Sequence, residues 1–276
     1  VTAVDVVASS YLDAAAAADA LHGTAGSCWV GGEYADPSND HVSYLVQYCS
    51  PGLVRDAVFT RELLHVLSTE APKARDVLLR LPAGVSPGDA WRTRTTYVRH
   101  DGSPSTPDTA GFTVDHARVD DEGAVLGWLT DAIAEGASSW GMPGRTDAQE
   151  KAARLVLDAP GRVTFVARDE NGPVGHATIL TEEWDEVVGE AFVELFDVLV
   201  VPGHRRHRQA VRLLSGRAVD HARERGLPLI GNVVHPSGVD GPGHAERILA
   251  SLARGGWRPD HVLWSCDVDR LAGSGS

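Results

Sequence analysis

Glu194 lies inside the apolar run 191–200, flanked by Phe192, Val193, Leu195 and Phe196. A carboxylate in such surroundings is partly desolvated, which raises its pKa toward a value useful for a general base. The plain alternative is a strand glutamate that faces solvent. Asp197 is the second candidate base. It has the opposite parity to Glu194, so an ideal strand delivers only one of them to a given face, and a bulge would shift that phase. His235 closes another apolar stretch, 226–235. At the C-terminal end of a parallel strand it could serve as a base or touch a substrate, or be a hydrogen-bonded structural histidine.

A second cluster follows directly. Val198, Leu199 and Val200 end the strand of Glu194, and Pro202 and Gly203 break it. His204, Arg205, Arg206, His207 and Arg208 then run through Gln209 and Ala210 into an amphipathic helix. A helix start leaves backbone N–H groups without partners and carries the positive end of the dipole, so it is a ready anion site. Cations there oppose the dipole unless an anion is bound, and this number of them suits a polyvalent one such as pyrophosphate. The alternative is a solvated basic turn. Glu183, Trp184 and Asp185, within the acidic run 182–186, combine charge with an aromatic face and could bind a cation. A solvated hairpin tip has the same composition.

These groups need a scaffold, and the pattern supplies an α/β one. A helical spacing covers 4–21, with Gly23 as its stop, and strands are expected at 28–34 and 41–49. A helical stripe over 53–68 and strands at 74–81 and 90–100 complete the N-terminal half. Residues 100–111 are polar and rich in Pro and Gly, as a linker is. Beyond it come a strand at 112–118, a helix from Asp120 to Ala134, a loop at 140–144 and a capping box at Thr146 and Gln149. Strands at 163–168 and 173–180 flank Asn171-Gly172 as a hairpin. After the basic helix, a parallel strand, a helix over 244–254 and a closing strand at 260–266 follow, and 272–276 reads as a flexible or appended tail.

Length and composition bound the function. The 276 residues suit two domains rather than one. The net charge of −13 disfavours nucleic acid and acidic membrane as partners and suits a cationic ligand, although solubility alone also favours acidic surfaces. Three widely spaced cysteines make neither a disulfide framework nor a zinc site, and a reduced cytoplasm is the expected compartment. No leader or membrane span is expected, and the scattered histidines suggest no metal.

The passage from Val200 through Pro202 to Ala210 resembles motif A of the GCN5-related N-acetyltransferases, the GNAT superfamily. There a strand ending V-x-P precedes Q/R-x-x-G-x-G/A at a helix start. Arg205 and Ala210 match the first and last motif positions, and Arg208 stands at the central glycine. The 163–180 hairpin is similar to the one that precedes the coenzyme strand in that family. Ala245, Gly256 and Trp257 match its next motif, whereas Pro242 occupies the asparagine position and Leu252 the tyrosine that often protonates the leaving thiolate. A glutamate base occurs in the histone-acetyltransferase branch at the spacing of Glu194 from Arg205. The resemblance implies a GNAT fold, a mixed central sheet flanked by helices, over 111–270. A smaller, degenerate GNAT-like module, or an unrelated α/β cap, would occupy 1–104. It implies acetyl-CoA as co-substrate, held by Val198–Val200 and Arg205–Ala210, with Glu194, Asp197 and His235 as candidate catalytic groups. The expected reaction is acetylation of a primary amine on a small molecule, an antibiotic or another specialised metabolite, by a monomer or homodimer. The alternatives are a GNAT-fold binding or regulatory module without turnover, and a transferase that uses another donor.

Overall fold

The computed structural model describes residues 7–24, 26–36, 41–100, 102, 111–141, 146–237 and 243–274. The chain begins with α1 (Ser9–Ala17), β1 (Leu21–Thr24), β2 (Ser27–Ala35), β3 (Val42–Cys49), α2 (Ala57–Thr69), β4 (Asp76–Pro82) and β5 (Arg92–His100). It continues with β6 (Thr113–His116), α3 (Glu122–Ser139), α4 (Thr146–Leu157), β7 (Arg162–Asp169), β8 (Gly172–Asp185) and β9 (Glu190–Val200). Then come α5 (His207–Glu224), β10 (Leu229–Val234), α6 (His244–Ala253), β11 (Trp257–Asp267) and α7 (Val268–Ser274). The chain divides into two compact units, and neither is a single stretch of sequence. The first takes Val1–Tyr97, Asp185–Glu190 and Pro259–Ser276; the second takes Val98–Trp184 and Ala191–Arg258.

In the first unit the strands lie in the order β1-β2-β3-β4-β11-β5. The α2 helix carries the chain from β3 to β4, which pair in parallel from Ser43↔Asp76 to Val46↔Leu79. Its start is fixed by Asp56, whose carboxylate accepts the Val58 N–H at 2.8 Å. Phe59, Leu63, Val66 and Leu67 then bury one face against Trp29, Leu79 and Leu81. β11 lies antiparallel on β4, from His261↔Pro82 to Asp267↔Asp76. Two expectations from sequence need correcting here. Among the described residues of 4–21 the helix covers Ser9–Ala17, because Asp19 takes a left-handed φ of 55° and the chain turns into β1. The expected tail is partly helical, because Leu271, 2% exposed, anchors α7 in the core.

In the second unit the order is β10-β9-β8-β7-β6. β7 and β8 form the expected hairpin, closed where the Asp169 carboxylate accepts the Asn171 N–H at 2.8 Å and Gly172 adopts φ 123°. The α5 helix covers one face. Its Ala210, Leu213, Leu214, Ala218, Val219 and Ala222 pack on Phe165, Ala177, Ile179 and Val193. The other face is covered by α3 and α4 through Val125, Leu129 and Ala153, which meet Val166 and Phe196. At the start of α3 the Asp121 carboxylate pairs with Arg168 and accepts the Arg118 N–H at 2.6 Å.

The two units share an order of elements. In the first, α1 precedes the β1–β2 hairpin, then β3, α2 and a parallel β4. In the second, α4 precedes the β7–β8 hairpin, then β9, α5 and a parallel β10. Each is a mixed sheet flanked by helices, as the sequence implies.

Candidate functional site

The site is built on β9. Val193 and Leu195 belong to the core under α5, and so do Val198 and Val200, whereas Phe196 packs with α3 and α4. Core membership thus passes from odd to even numbers between Leu195 and Val198. Phe196 and Asp197 must then lie consecutively on the α3–α4 face, as residues at a bulge do. Glu194 alternates with Val193 and Leu195, so it shares that face. The sequence parity that separated Glu194 from Asp197 holds only for an unbroken strand, and the shift in phase puts the two carboxylates on one face.

Burial pushes the Glu194 carboxyl up from its usual 4.5 to about 7, and the negative charge of Glu183 on β8 adds to the effect. Asp197 sits differently. Its Oδ2 lies 3.2 Å from Nε2 of His176 on β8, a histidine with no exposed side-chain surface. The imidazole stacks on Trp128 of α3 at 5.6 Å and 3° between planes. Its Nδ1 is 3.0 Å from the Thr178 hydroxyl, which meets the Thr164 hydroxyl at 3.1 Å, and Arg162 donates to Thr164.

β9 and β10 run parallel but pair at only two positions, Leu229↔Val193 and Ile230↔Glu194. His235, just past β10, lies beyond that paired stretch, toward the end of β9. His235 is half-buried, and burial lowers its pKa against the opposing pull of Glu246. On the other side β8 approaches β9 closely: a Cβ on Gly175 would stand 2.3 Å from the Leu199 carbonyl oxygen.

The basic turn sorts its five side chains. Gly203, at φ 77°, turns the chain out of β9. His204 binds the Asp169 carboxylate at 3.1 Å, and the Asn171 N–H together with His204 holds that carboxyl below its usual range. Arg206 folds back over the Phe112 ring at 4.4 Å and donates to the Gly111 carbonyl. Arg205 pairs with Glu170 at 2.7 Å, both side chains about two-thirds exposed, so the pair is readily exchanged for another anion. His207 and Arg208 are exposed. The N–H groups of His207, Gln209 and Ala210 already bind the carbonyls of His204 and Arg206. The helix start is therefore less open than its sequence implies, and Arg205, His207 and Arg208 are the side chains best placed for an anion. Ala210 is fully buried in the core between α5 and the sheet.

The acidic run divides too. Asp185 belongs to the first unit, where it pairs with Arg80 and caps its own turn by accepting the Val187 N–H at 3.0 Å. Burial alone would raise its pKa, but Arg80 outweighs that and the carboxyl is held low. Glu183 is half-buried beside Glu194, and Trp184 is 59% exposed. Pro242 lies outside the described residues, and Leu252 is packed against the α5 core. His176 was not singled out from sequence. Its signal is a lone imidazole, with Thr178 two residues on, at an inward position of the otherwise uncharged run 174–180. Among the described residues, no three His, Cys, Asp or Glu side chains are grouped to hold a metal.

A parallel β–α–β unit with a basic turn at its helix, a hairpin before it and helices on both faces defines a GNAT-type acyltransferase fold. The model of the acetyltransferase (GNAT) family matches residues 129–238. Residues 129–238 thus read as a GNAT-type domain, and the first unit repeats the order of elements of the second. A GCN5-related N-acetyltransferase from Sphaerobacter thermophilus is similar at 15% identity and TM-score 0.52, over 88% of this chain and 77% of that one. A GCN5-related N-acetyltransferase from Kribbella flavida has 14% identity and TM-score 0.48, over 93% of both chains. A tandem GNAT protein from the clavulanic acid biosynthesis pathway has 15% identity and TM-score 0.44, over 82% of this chain and 75% of that one. No curated protein matches the sequence. The family and fold support acyl transfer in general.

Proposed function

We propose that the second unit transfers the acetyl group of acetyl-CoA to a primary amine of a small molecule. The observation that carries this reading is Glu194: a carboxyl whose pKa is about 7, on the strand that leads into the basic turn of a GNAT-family domain. An alkylammonium must lose a proton before it can attack, and a base that titrates near neutrality is matched to that task. Glu194 takes the proton; the amine nitrogen attacks the thioester carbonyl carbon; the C–S bond breaks and the sulfur leaves as thiolate. Arg205, His207 and Arg208 would hold the coenzyme phosphates, with Val198, Leu199 and Val200 along its pantetheine arm. The nitrogen's second proton passes through water to the thiolate, giving the amide and the free thiol, since Leu252 stands at the position of the family's acid tyrosine.

The acidic net charge and the unpaired cysteines support a small amine substrate, neither nucleic acid nor membrane, and a cytoplasmic monomer or homodimer. Among the described residues, no helix is long and apolar enough to cross a membrane. A second reading, a GNAT-fold binding module without turnover, is favoured by Arg208 at the motif glycine and by Leu252.

Acetyl-CoA at a hundred times its Kd adds about 2.7 kcal/mol to the folded state. For a chain of this length that raises Tm by roughly 5–10 °C. No shift at saturation, with the protein folded, removes the donor. A shift without acetylation of any amine across a broad panel favours the second reading.

A further inference from the structure

The Asp197–His176 pair has no part in the proton transfer just described, yet it is the most constrained polar pair on that face. His176 Nε2 and Asp197 Oδ2 are both buried and lie at ion-pair distance, but out of line for a hydrogen bond. Every other support of the imidazole is in place: Trp128 against its face, Thr178 on Nδ1, and Thr164 and Arg162 behind. The ring cannot move away from Asp197. The Asp197 side chain is 21% exposed while its Oδ2 is buried, so its exposure belongs to its other atoms.

We propose that Asp197 binds a second, non-reacting ammonium group of the acceptor, that His176 is the positioning residue that fixes this carboxylate, and that the acceptor is therefore a small diamine. This rests on the amine-transfer reading and adds a substrate class to it. Glu194 must be left to the reacting nitrogen. Asp197 stands three residues along the same face, roughly 10 Å of extended chain and less across a bulge. That separation suits two nitrogens joined by a short alkyl chain. Glu183 adds a third carboxylate near Glu194, and neither of these glutamates has an ion-pair partner among the described residues. A monoamine leaves Asp197 unused; a diamine fills it with a charge-assisted contact.

The test compares cadaverine with pentylamine, which has the same carbon chain and one nitrogen fewer. Both are titrated calorimetrically into the full-length protein, with and without coenzyme A, so that the readout does not depend on turnover. The wild type binds cadaverine about tenfold or more tightly than pentylamine, as a hydrogen bond to a charged group implies. Asp197→Asn removes that preference and Glu194→Gln keeps it. Two isosteres separate positioning from simple packing. His176→Gln places an amide nitrogen about where Nε2 was and keeps the preference, whereas His176→Asn reaches only as far as Nδ1 and loses it. Once turnover is found, Asp197→Asn and His176→Asn raise the diamine KM and leave kcat within about threefold. Should the histidine variants not fold, the Nε2 nitrogen resonance of His176 in the wild type replaces them, and it shifts when cadaverine saturates the site. Equal binding of the two amines by the wild type, an unchanged preference in Asp197→Asn, equal behaviour of the two histidine variants, or a silent Nε2 resonance overturns the proposal. Failure of the transferase reading is seen separately, as absence of coenzyme A binding and of acetylation.

Discussion

Replacing Glu194 by Gln offers two linked readouts from one structural cause. The carboxyl is raised from 4.5 to about 7 by burial and by Glu183. One pKa unit corresponds to about 1.4 kcal/mol, so the full shift is worth up to about 3 kcal/mol. The sign follows from proton uptake. Between the unfolded and folded pKa values the native state binds more protons than the unfolded chain, so stability falls as pH rises through that window. Below pH 4.5 the two states are protonated alike; above about 7 the native protein carries a desolvated charge. Glu194→Gln removes that charge while keeping shape. Urea melts of wild type and variant from pH 4.5 to 8.5 therefore diverge, the variant gaining up to about 3 kcal/mol relative to the wild type at the alkaline end. The same change costs catalysis about a hundredfold to ten-thousandfold if Glu194 is the base. The wild-type rate rises with pH to a plateau above about 7, and the variant lacks that limb. A stability difference that is flat with pH, or grows toward acid, refutes the burial argument. A flat stability difference together with an intact acid limb would mean that Glu194 is solvated and another group takes the proton.

Arg208→Gly should weaken coenzyme A binding by about 1 kcal/mol, measured by calorimetry, because the exposed guanidinium is free to meet a phosphate; tighter binding would mark the arginine as an intruder at the motif glycine. Gly175→Ala forces a Cβ to 2.3 Å from the Leu199 carbonyl and should cost about 1–3 kcal/mol in urea melts, whereas Gly127→Ala, which meets nothing within 4 Å on α3, should stabilise by up to about 1 kcal/mol. Asp121→Ala strands the half-buried Arg168 guanidinium and should lower stability by about 3 kcal/mol, with Asp121→Ala/Arg168→Met recovering much of it.

The frame of the second unit was legible because its signals are local. Asn171-Gly172 marks the hairpin, Pro202-Gly203 ends β9, and the spacing of Ala210, Leu213 and Leu214 sets the buried face of α5. What could not be read depends on contacts distant in sequence. The phase change between Leu195 and Val198 leaves no mark in the order of residues, since Phe196 and Asp197 fit either phase. His176 acquires its meaning only when β8 lies beside β9 and α3 brings Trp128 over the ring. Asp185 looked like part of an acidic patch, but Arg80, 105 positions earlier, claims it. The basic turn shows a subtler limit: composition counted five cations, while Asp169, Glu170 and Phe112 decide which of them face outward.

The pairing of β11 with β4 also bears on the order in which the chain folds. Val77, Leu79 and Leu81 sit opposite Cys266, Trp264 and Val262 across a loop of about 185 residues. Leu271 completes the same core. During synthesis the first unit emerges early but lacks an inner strand and the last helix, so the apolar edge of β4 waits for nearly the whole chain to follow. Closing so long a loop is slow on topological grounds, and an unpaired strand edge is open to wrong partners in the meantime. The unit that leaves the ribosome first is thus the one that matures last.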